Sequence, residues 1–335
     1  PHMKTAKNVE VARAALDAPT GSITVSTLRE AEYFFDHGFR DILYAVGMVP
    51  AKVARVAALN RRGARITAII DSVEGAQALA DAGTREGQRI DALVEIDSDG
   101  HRAGVPPEDR ALLDIARILG EGLRGVMTHA GDSYNSDTVD RIRQVAVRER
   151  EAVVASATML RAAGCASPVV SVGSTPTAVF GESFEGVTEA RPGVYMFNDL
   201  VMAGLGVCRI EDIALSVLAS VIGHQRDKNW VLVDAGWMAM SRDRGTAKQK
   251  VDQGFGLVCD AAGQPIEDLI VADANQEHGI VARRDGGTID FARFPIGSLL
   301  RILPNHACAT AAQHCEYQVL RGGKVSGTWE RFSGW

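Results

Sequence analysis

Lys4 stands in PHMKTAK, where a buried strand would open into a loop. A lysine amine forms an imine with an aldehyde once burial or neighbouring charge makes its neutral form accessible. Pro-His-Met is also what a cleaved tag leaves behind, and on that reading Lys4 and Lys7 are solvated amines. A second candidate is VGSTPT, residues 172–177, which follows an apolar run. Gly173 lets a phosphate approach the backbone, N–H groups point outward at a helix start, and Ser174 and Thr175 donate further hydrogen bonds. The same letters make an ordinary N-cap with proline in the first turn. An amine and a phosphate loop together suit the aldehyde of pyridoxal phosphate.

LPNHACAT places His306 and Cys308 two apart at the end of a predicted strand, so that both side chains emerge on one face. Imidazole and thiolate suit zinc, and two protein ligands leave positions open for water or substrate, as in a catalytic site. The alternative is a buried thiol beside a hydrogen-bonded histidine. GHRAGV puts Arg102 just past one strand, and THAGDSYN puts His129 and Tyr134 just past another. Arg102 paired with Asp97 or Asp99 on the surface, and Tyr134 as a satisfied core phenol, are the plainer readings of these two stretches.

These residues need elements to hold them. Helical periodicity over residues 9–16, 28–37, 50–60, 73–82 and 107–119, and a long helix ending near residue 163, alternates with apolar runs. The runs are SITVST, DILYAV, ARITAII, DALVEID, LRGVMTHA and SPVVSVG, with a last strand expected at GVYMFN, residues 193–198. With a strand ending at Lys4 the total is eight. Eight such units predict an α/β fold, a (β/α)8 TIM-type barrel, whose catalytic residues sit at the C-terminal ends of the strands. Lys4, Arg102, His129 and Gly173 all fall there. From about Cys208 the long helices stop and strands dominate, closing with EYQVLRGG and KVSGTW around Gly322 and Gly323. The expected domains are therefore residues 1–204, the barrel with its first strand largely missing, and residues 205–335, a mainly-β domain carrying the metal pair.

A chain of 335 residues with 46% hydrophobic content can bury a sizeable core in two domains. Net charge −6 with scattered Lys and Arg gives no basic stripe, so nucleic acid is not an expected partner. No apolar run reaches the ~18–20 residues a membrane helix needs, and no signal pattern opens the chain, so a cytoplasmic protein is expected. Five dispersed cysteines do not imply disulfides.

Taken in order, PHMKTAK, GHRAGV, THAGDSYN, VGSTPT, RPGVYMFND, VDAGW, NQEHG and PNHACAT resemble the D-serine dehydratase group of the alanine-racemase-like (fold type III) pyridoxal enzymes. The resemblance runs over essentially the whole chain. It implies that Lys4 is the Schiff-base lysine, that Arg102 approaches the cofactor's phenolic oxygen, and that His129 and Tyr134 flank its ring. It implies further that Gly173, Ser174 and Thr175 hold the phosphate, that Tyr195 is another cofactor contact, and that His306 and Cys308 bind zinc or another divalent cation. It also implies a barrel plus a β domain paired into homodimers. The chain departs from the group in lacking the several tens of residues that lead into the first strand, a loss expected to weaken the β domain. It departs again at Asp132, where relatives often carry histidine, which opens the choice of substrate.

Hydroxide is a poor leaving group, and a metal that lowers the pKa of a bound oxygen from ~15.7 to ~7–9 suits loss of a β-hydroxyl. With Lys4 taking the α-proton, the expected activity is dehydration of a D-β-hydroxy amino acid. D-Serine would give pyruvate and ammonia; D-threo-3-hydroxyaspartate would give oxaloacetate and ammonia. A D-threonine or D-3-hydroxyaspartate aldolase is the nearest rival, but aldolases of the superfamily carry His-x-Asp and a glycine-richer phosphate loop. A racemase needs no metal, and in a non-catalytic pyridoxal-phosphate carrier the His306 and Cys308 pair would have no role.

Overall fold

The computed structural model describes residues 1–100 and 102–335; His101 of GHRAGV lies outside them. The chain forms two compact units, Pro1–Gly193 with Gly334–Trp335, and Val194–Ser333.

In the first unit, strands β1 (Ile23–Val25), β2 (Asp41–Gly47), β3 (Arg65–Ile70), β4 (Asp91–Glu95), β5 (Leu123–Met127), β6 (Val169–Val172) and β7 (Glu189–Ala190) pair in sequence order. Every pairing is parallel. The two edges meet through the first residues of the chain. Met3 donates its N–H to the Thr24 carbonyl (2.8 Å), Thr24 donates to Pro1 (3.0 Å), and His2 donates to Pro192 (2.9 Å). Residues 1–3 thus fill the eighth strand position of a closed ring, and the chain leaves it at Lys4.

The strand expected over residues 193–198 is corrected. The ring uses Glu189–Ala190 instead, and Val194–Met196 is a short 3-10 turn. Pro192 explains the break, since it has no N–H to continue a ladder and offers only its carbonyl.

Helices α1 (Val9–Leu16), α2 (Leu28–Asp36), α3 (Pro50–Arg61), α4 (Val73–Arg85), α5 (Ala111–Leu119), α6 (Val139–Ala162) and α7 (Thr175–Phe180) alternate with the strands. Asn8, Thr27, Ser72, Thr138 and Ser174 each accept from a backbone N–H in the first turn of the helix they precede. Side-chain caps of this kind stabilise a helix start by ~1 kcal/mol. One buried stripe docks each helix, as with Leu28, Ala31, Phe34 and Phe35 of α2. Helix α5 begins at Ala111 rather than Pro107, because Glu108 adopts a left-handed conformation (φ 61°) that a helix cannot contain. Gly125 (φ 132°) permits β5 and β6 to pair closely, since a Cβ there would lie 1.9 Å from the Val169 carbonyl oxygen. That pairing brings the ends of β5 and β6, and hence His129 and Gly173, together.

The second unit is a closed antiparallel barrel of β8 (Val217–Gln225), β9 (Trp230–Val233), β10 (Gly256–Cys259), β11 (Pro265–Ala274), β12 (Gly279–Arg283) and β13 (Leu299–Pro304). Its strand order is β10-β11-β12-β9-β8-β13, and β13 pairs back onto β10. Val217, Ala219 and Val221 of β8 point into an apolar core with Val231, Val233, Val271, Val281 and Ile302, while Leu218 and Ile222 face out. A separate hairpin, β14 (Glu316–Arg321) and β15 (Lys324–Glu330), turns on Gly322 and Gly323, both at positive φ as a two-residue hairpin requires.

Short helices α8 (Leu200–Gly204), α9 (Trp237–Met240) and α10 (Ala307–Ala311) complete this unit. The division falls at Gly193 rather than Gly204 because Asp199 caps α8 (Met202 N–H, 2.9 Å) and also accepts from Ala307 N–H (2.9 Å).

Candidate active site

Lys4 leaves a well-anchored backbone. Met3 and Thr5 on either side are fully buried, whereas Lys4 itself is exposed. Lys7 sits at φ 46° with its ammonium 3.2 Å from the buried carboxylate of Glu30, which also accepts from Ser26 N–H (2.9 Å). The KTAK turn is thereby tied to the start of α2.

His129 follows β5 and faces Tyr134 with ring centroids 6.2 Å apart. Its Nδ1–H donates to the Gly173 carbonyl at 2.5 Å. Burial pulls its pKa down to about 4 against that hydrogen bond, and the nearby charges of Lys4, Arg102 and Arg191 pull the same way. The ring is therefore neutral at pH 7, with a bare Nε2. Arg102 pairs with the buried Glu95 at 3.2 Å, not with Asp97 or Asp99. Asp97 instead accepts from Gly100 N–H (2.7 Å), and Asp99 from Asp132 N–H (2.9 Å).

Arg191 is the residue that sequence reading passed over. Buried directly after β7, it donates to the carbonyls of Val172 (3.0 Å) and Thr128 (2.5 Å) and to the Ser171 hydroxyl, binding three strand ends together. Glu189, Glu149 and Glu95 oppose the cost of burying its charge. RPGVYMFND held the signal, an arginine directly before Pro-Gly, but its place under the rim depends on pairings far apart in the chain.

The expectation of free N–H groups in VGSTPT is corrected at Gly173, whose N–H donates to the Glu149 carboxylate (2.9 Å). Ser174 is the N-cap of α7, bonded to Thr177 N–H (3.1 Å) and within 3.0 Å of the Ser133 hydroxyl. Thr175 is different. Its hydroxyl is buried and has no hydrogen-bond partner among the described residues. A buried unpaired hydroxyl costs ~1–3 kcal/mol, and an anionic oxygen would satisfy it. With the charges of Lys4, Arg102 and Arg191 acting on His129, which is bonded to Gly173 of the same loop, the residues present fit an aldehyde that carries a phosphate. Thr175→Val should leave stability unchanged or slightly raised and weaken pyridoxal phosphate binding ~10–100-fold, the worth of a hydrogen bond to a charged group. Thermal melts and a cofactor titration check this.

In the second unit the structure brings His306 and Cys308 together by a different route from the one expected. β13 ends at Pro304, His306 is the N-cap of α10, and Cys308 lies in its first turn. A helix start, not strand alternation, makes them neighbours. His306 Nδ1 meets Asp243 Oδ2 at 2.7 Å, leaving Nε2 for another partner. Burial disfavours the imidazolium, but Asp243 and Cys308 outweigh it and raise its pKa to about 10. Among the described residues no group of three or more His, Cys, Asp or Glu is placed to hold a metal ion. A cation held by this pair would keep open positions, with Asp243 orienting the histidine from behind. Asp243 stands among ordinary charges in SRDRGTAK, so nothing marked it in advance. Tyr195 also belongs to this unit, partly exposed on the turn Val194–Met196. VDAGW and NQEHG dock on each other as turns, with Trp237 N–H on the Asn275 carbonyl at 2.9 Å.

Residues 1–200 match the family described as "Alanine racemase, N-terminal domain", and residues 214–320 match the "Putative serine dehydratase domain". D-threo-3-hydroxyaspartate dehydratase of Delftia sp. (strain HT23) is 55% identical over 100% of this chain and 90% of the relative. Its solved structure superposes with a TM-score of 0.97 over 100% of this chain and 90% of that one. A cysteine-to-alanine variant of a D-threo-3-hydroxyaspartate dehydratase, solved in the metal-free form, superposes equally well (TM-score 0.97, 54% identity, 100% and 90% covered). D-serine dehydratase of Dictyostelium discoideum is 32% identical over 96% of this chain and 85% of the relative. More distant is the 3-hydroxy-D-aspartate aldolase of Paracoccus denitrificans (strain Pd 1222), at 29% over 98% and 82%. The chain belongs to the alanine-racemase-like pyridoxal phosphate enzymes of fold type III, in the group that joins such a barrel to a serine dehydratase domain.

Proposed function

We propose that this protein is a lyase that eliminates water from a D-β-hydroxy amino acid, with D-threo-3-hydroxyaspartate and D-serine as the substrates to test first. The observation that carries the reading is the pairing of His306 and Cys308 with Asp243 behind the imidazole, in a chain that also presents Lys4 on a cationic rim. Racemisation has no use for the pair. Whole-chain identity with a D-threo-3-hydroxyaspartate dehydratase supports the same choice over an aldolase.

When bound, pyridoxal phosphate supplies an electron sink for the α-carbon, and a zinc or other divalent ion supplies a Lewis acid for the departing hydroxyl. Lys4 would anchor the cofactor and take the α-proton. Thr175, with Gly173 and Ser174, would hold the phosphate; Arg102 would face the phenolic oxygen; His129 and Tyr134 would bracket the ring; Tyr195 would add a contact. His306 and Cys308 would hold the metal. A cytoplasmic homodimer goes with this reading on the strength of the resemblance, and no helix among the described residues is long and apolar enough to cross a membrane.

The test is a panel of D- and L-β-hydroxy amino acids scored for both keto acid and ammonia. Oxaloacetate or pyruvate from the D-substrates alone is the expected result. Glycine with an aldehyde as the main products would make the enzyme an aldolase, and neither outcome with any substrate would leave a carrier.

A further inference from the structure

Glu149 is a carboxylate where packing asks for an apolar side chain. It lies on the buried face of α6 with Ile142, Val145, Ala152 and Val153, and is 2% exposed. Burying a carboxylate is costly unless several donors meet it. Gly173 N–H meets it at 2.9 Å, and the Ala130 N–H and the Thr177 hydroxyl favour its charged form against the cost of burial.

The two backbone N–H groups flank one contact. Gly173 gives its N–H to Glu149 and receives the His129 Nδ1–H on its carbonyl (2.5 Å). Ala130 N–H belongs to the peptide that carries the His129 carbonyl. Glu149 therefore holds Gly173, the residue whose carbonyl accepts the His129 hydrogen bond. A leucine would fill the same space but leave the buried Gly173 N–H unpaired and its backbone free to turn.

We propose that Glu149 is a positioning residue that, through Gly173, locks His129 as the Nδ1–H tautomer and fixes the plane of its ring. The tautomer of an imidazole is set by the partner of one nitrogen, and the orientation of that partner is what Glu149 controls. What the locked ring then does, presenting a fixed face and a bare Nε2 to the cofactor, rests on the proposed function.

The test reads the imidazole directly in the cofactor-free chain. Protein carrying 15N-histidine is examined by long-range 1H–15N correlation, with His129 assigned by its loss in His129→Gln. Wild type should show His129 as a single Nδ1–H tautomer. Glu149→Leu should show a mixture with the Nε2–H form. Glu149→Gln should do so in part, because a neutral amide oxygen holds the Gly173 N–H less firmly than a carboxylate does. The pyridoxal phosphate dissociation constant should rise about tenfold in Glu149→Leu, the loss of one hydrogen bond. A His129 spectrum unchanged in both variants overturns the proposal, and if Glu149→Leu does not fold, an unchanged spectrum in Glu149→Gln does so alone. Failure of the wild-type chain to bind pyridoxal phosphate would instead count against the proposed function, with the tautomer measurement still deciding the role of Glu149.

Discussion

Lys4→Ala is expected to lower turnover of a D-β-hydroxy amino acid by about 10^4-fold, the upper range for loss of a positioned proton-transfer group. The absorbance of lysine-bound cofactor should disappear with it. Lys4→Arg separates the two things the residue supplies: arginine keeps the positive charge on the rim but does not deprotonate near neutral pH. If the amine matters, Lys4→Arg should be as inactive as Lys4→Ala while binding pyridoxal phosphate better. If charge alone matters, it should retain most of the activity. Borohydride reduction of the loaded wild-type protein, followed by peptide mapping, should mark Lys4. Lys7 is the nearest competitor in sequence, but its ammonium is already engaged by Glu30 at 3.2 Å. A mark on Lys7 would overturn the assignment of the whole rim.

The rim positions of Lys4 and His129 were legible because each lies at or just past a strand position, whereas Arg102 sits in the loop after β4, which ends at Glu95. The strands were legible for a related reason: ARITAII and DALVEID are continuous apolar runs, bounded by turns and capped helices, as parallel strands covered on one face by helices must be. β7 escaped because Glu189–Ala190 is two residues long and contains no such run. β11 is poorly marked in the sequence because Glu267 and Asp268 break its apolar pattern; Asp268 adopts φ 57°, and the ladder shifts register between Val271 and Asp273. The supporting acids were invisible for a different reason. Glu149 lies in VREREAV, among charges that are mostly exposed, and only the tertiary fold turns it inward. His306 and Cys308 were legible as a pair, yet their geometry was not, because a two-residue spacing reads alike on a strand and across a helix start. In each case local pattern identified the residues that follow elements, while those that brace them from a distance needed the fold.

Removing the metal should abolish the chemistry and spare the cofactor. Lys4 and residues 173–175 belong to the first compact unit, and His306 and Cys308 to the second. A chelator strong enough to strip the second should therefore lower keto acid release by about 100-fold or more, the worth of several kcal/mol of charge stabilisation. The absorbance of bound pyridoxal phosphate should stay as it was. Cys308→Ala should reproduce chelation. Asp243→Ala should lie between the two, weakening metal binding ~10–100-fold by removing the group that orients His306. If Cys308 were only a packed thiol, its loss would cost ~1–3 kcal/mol of stability and leave turnover intact. Adding back zinc, manganese or magnesium to the stripped protein identifies the ion by which restores activity. The assignment is falsified if protein shown to be metal-free by elemental analysis still releases keto acid and ammonia at the untreated rate.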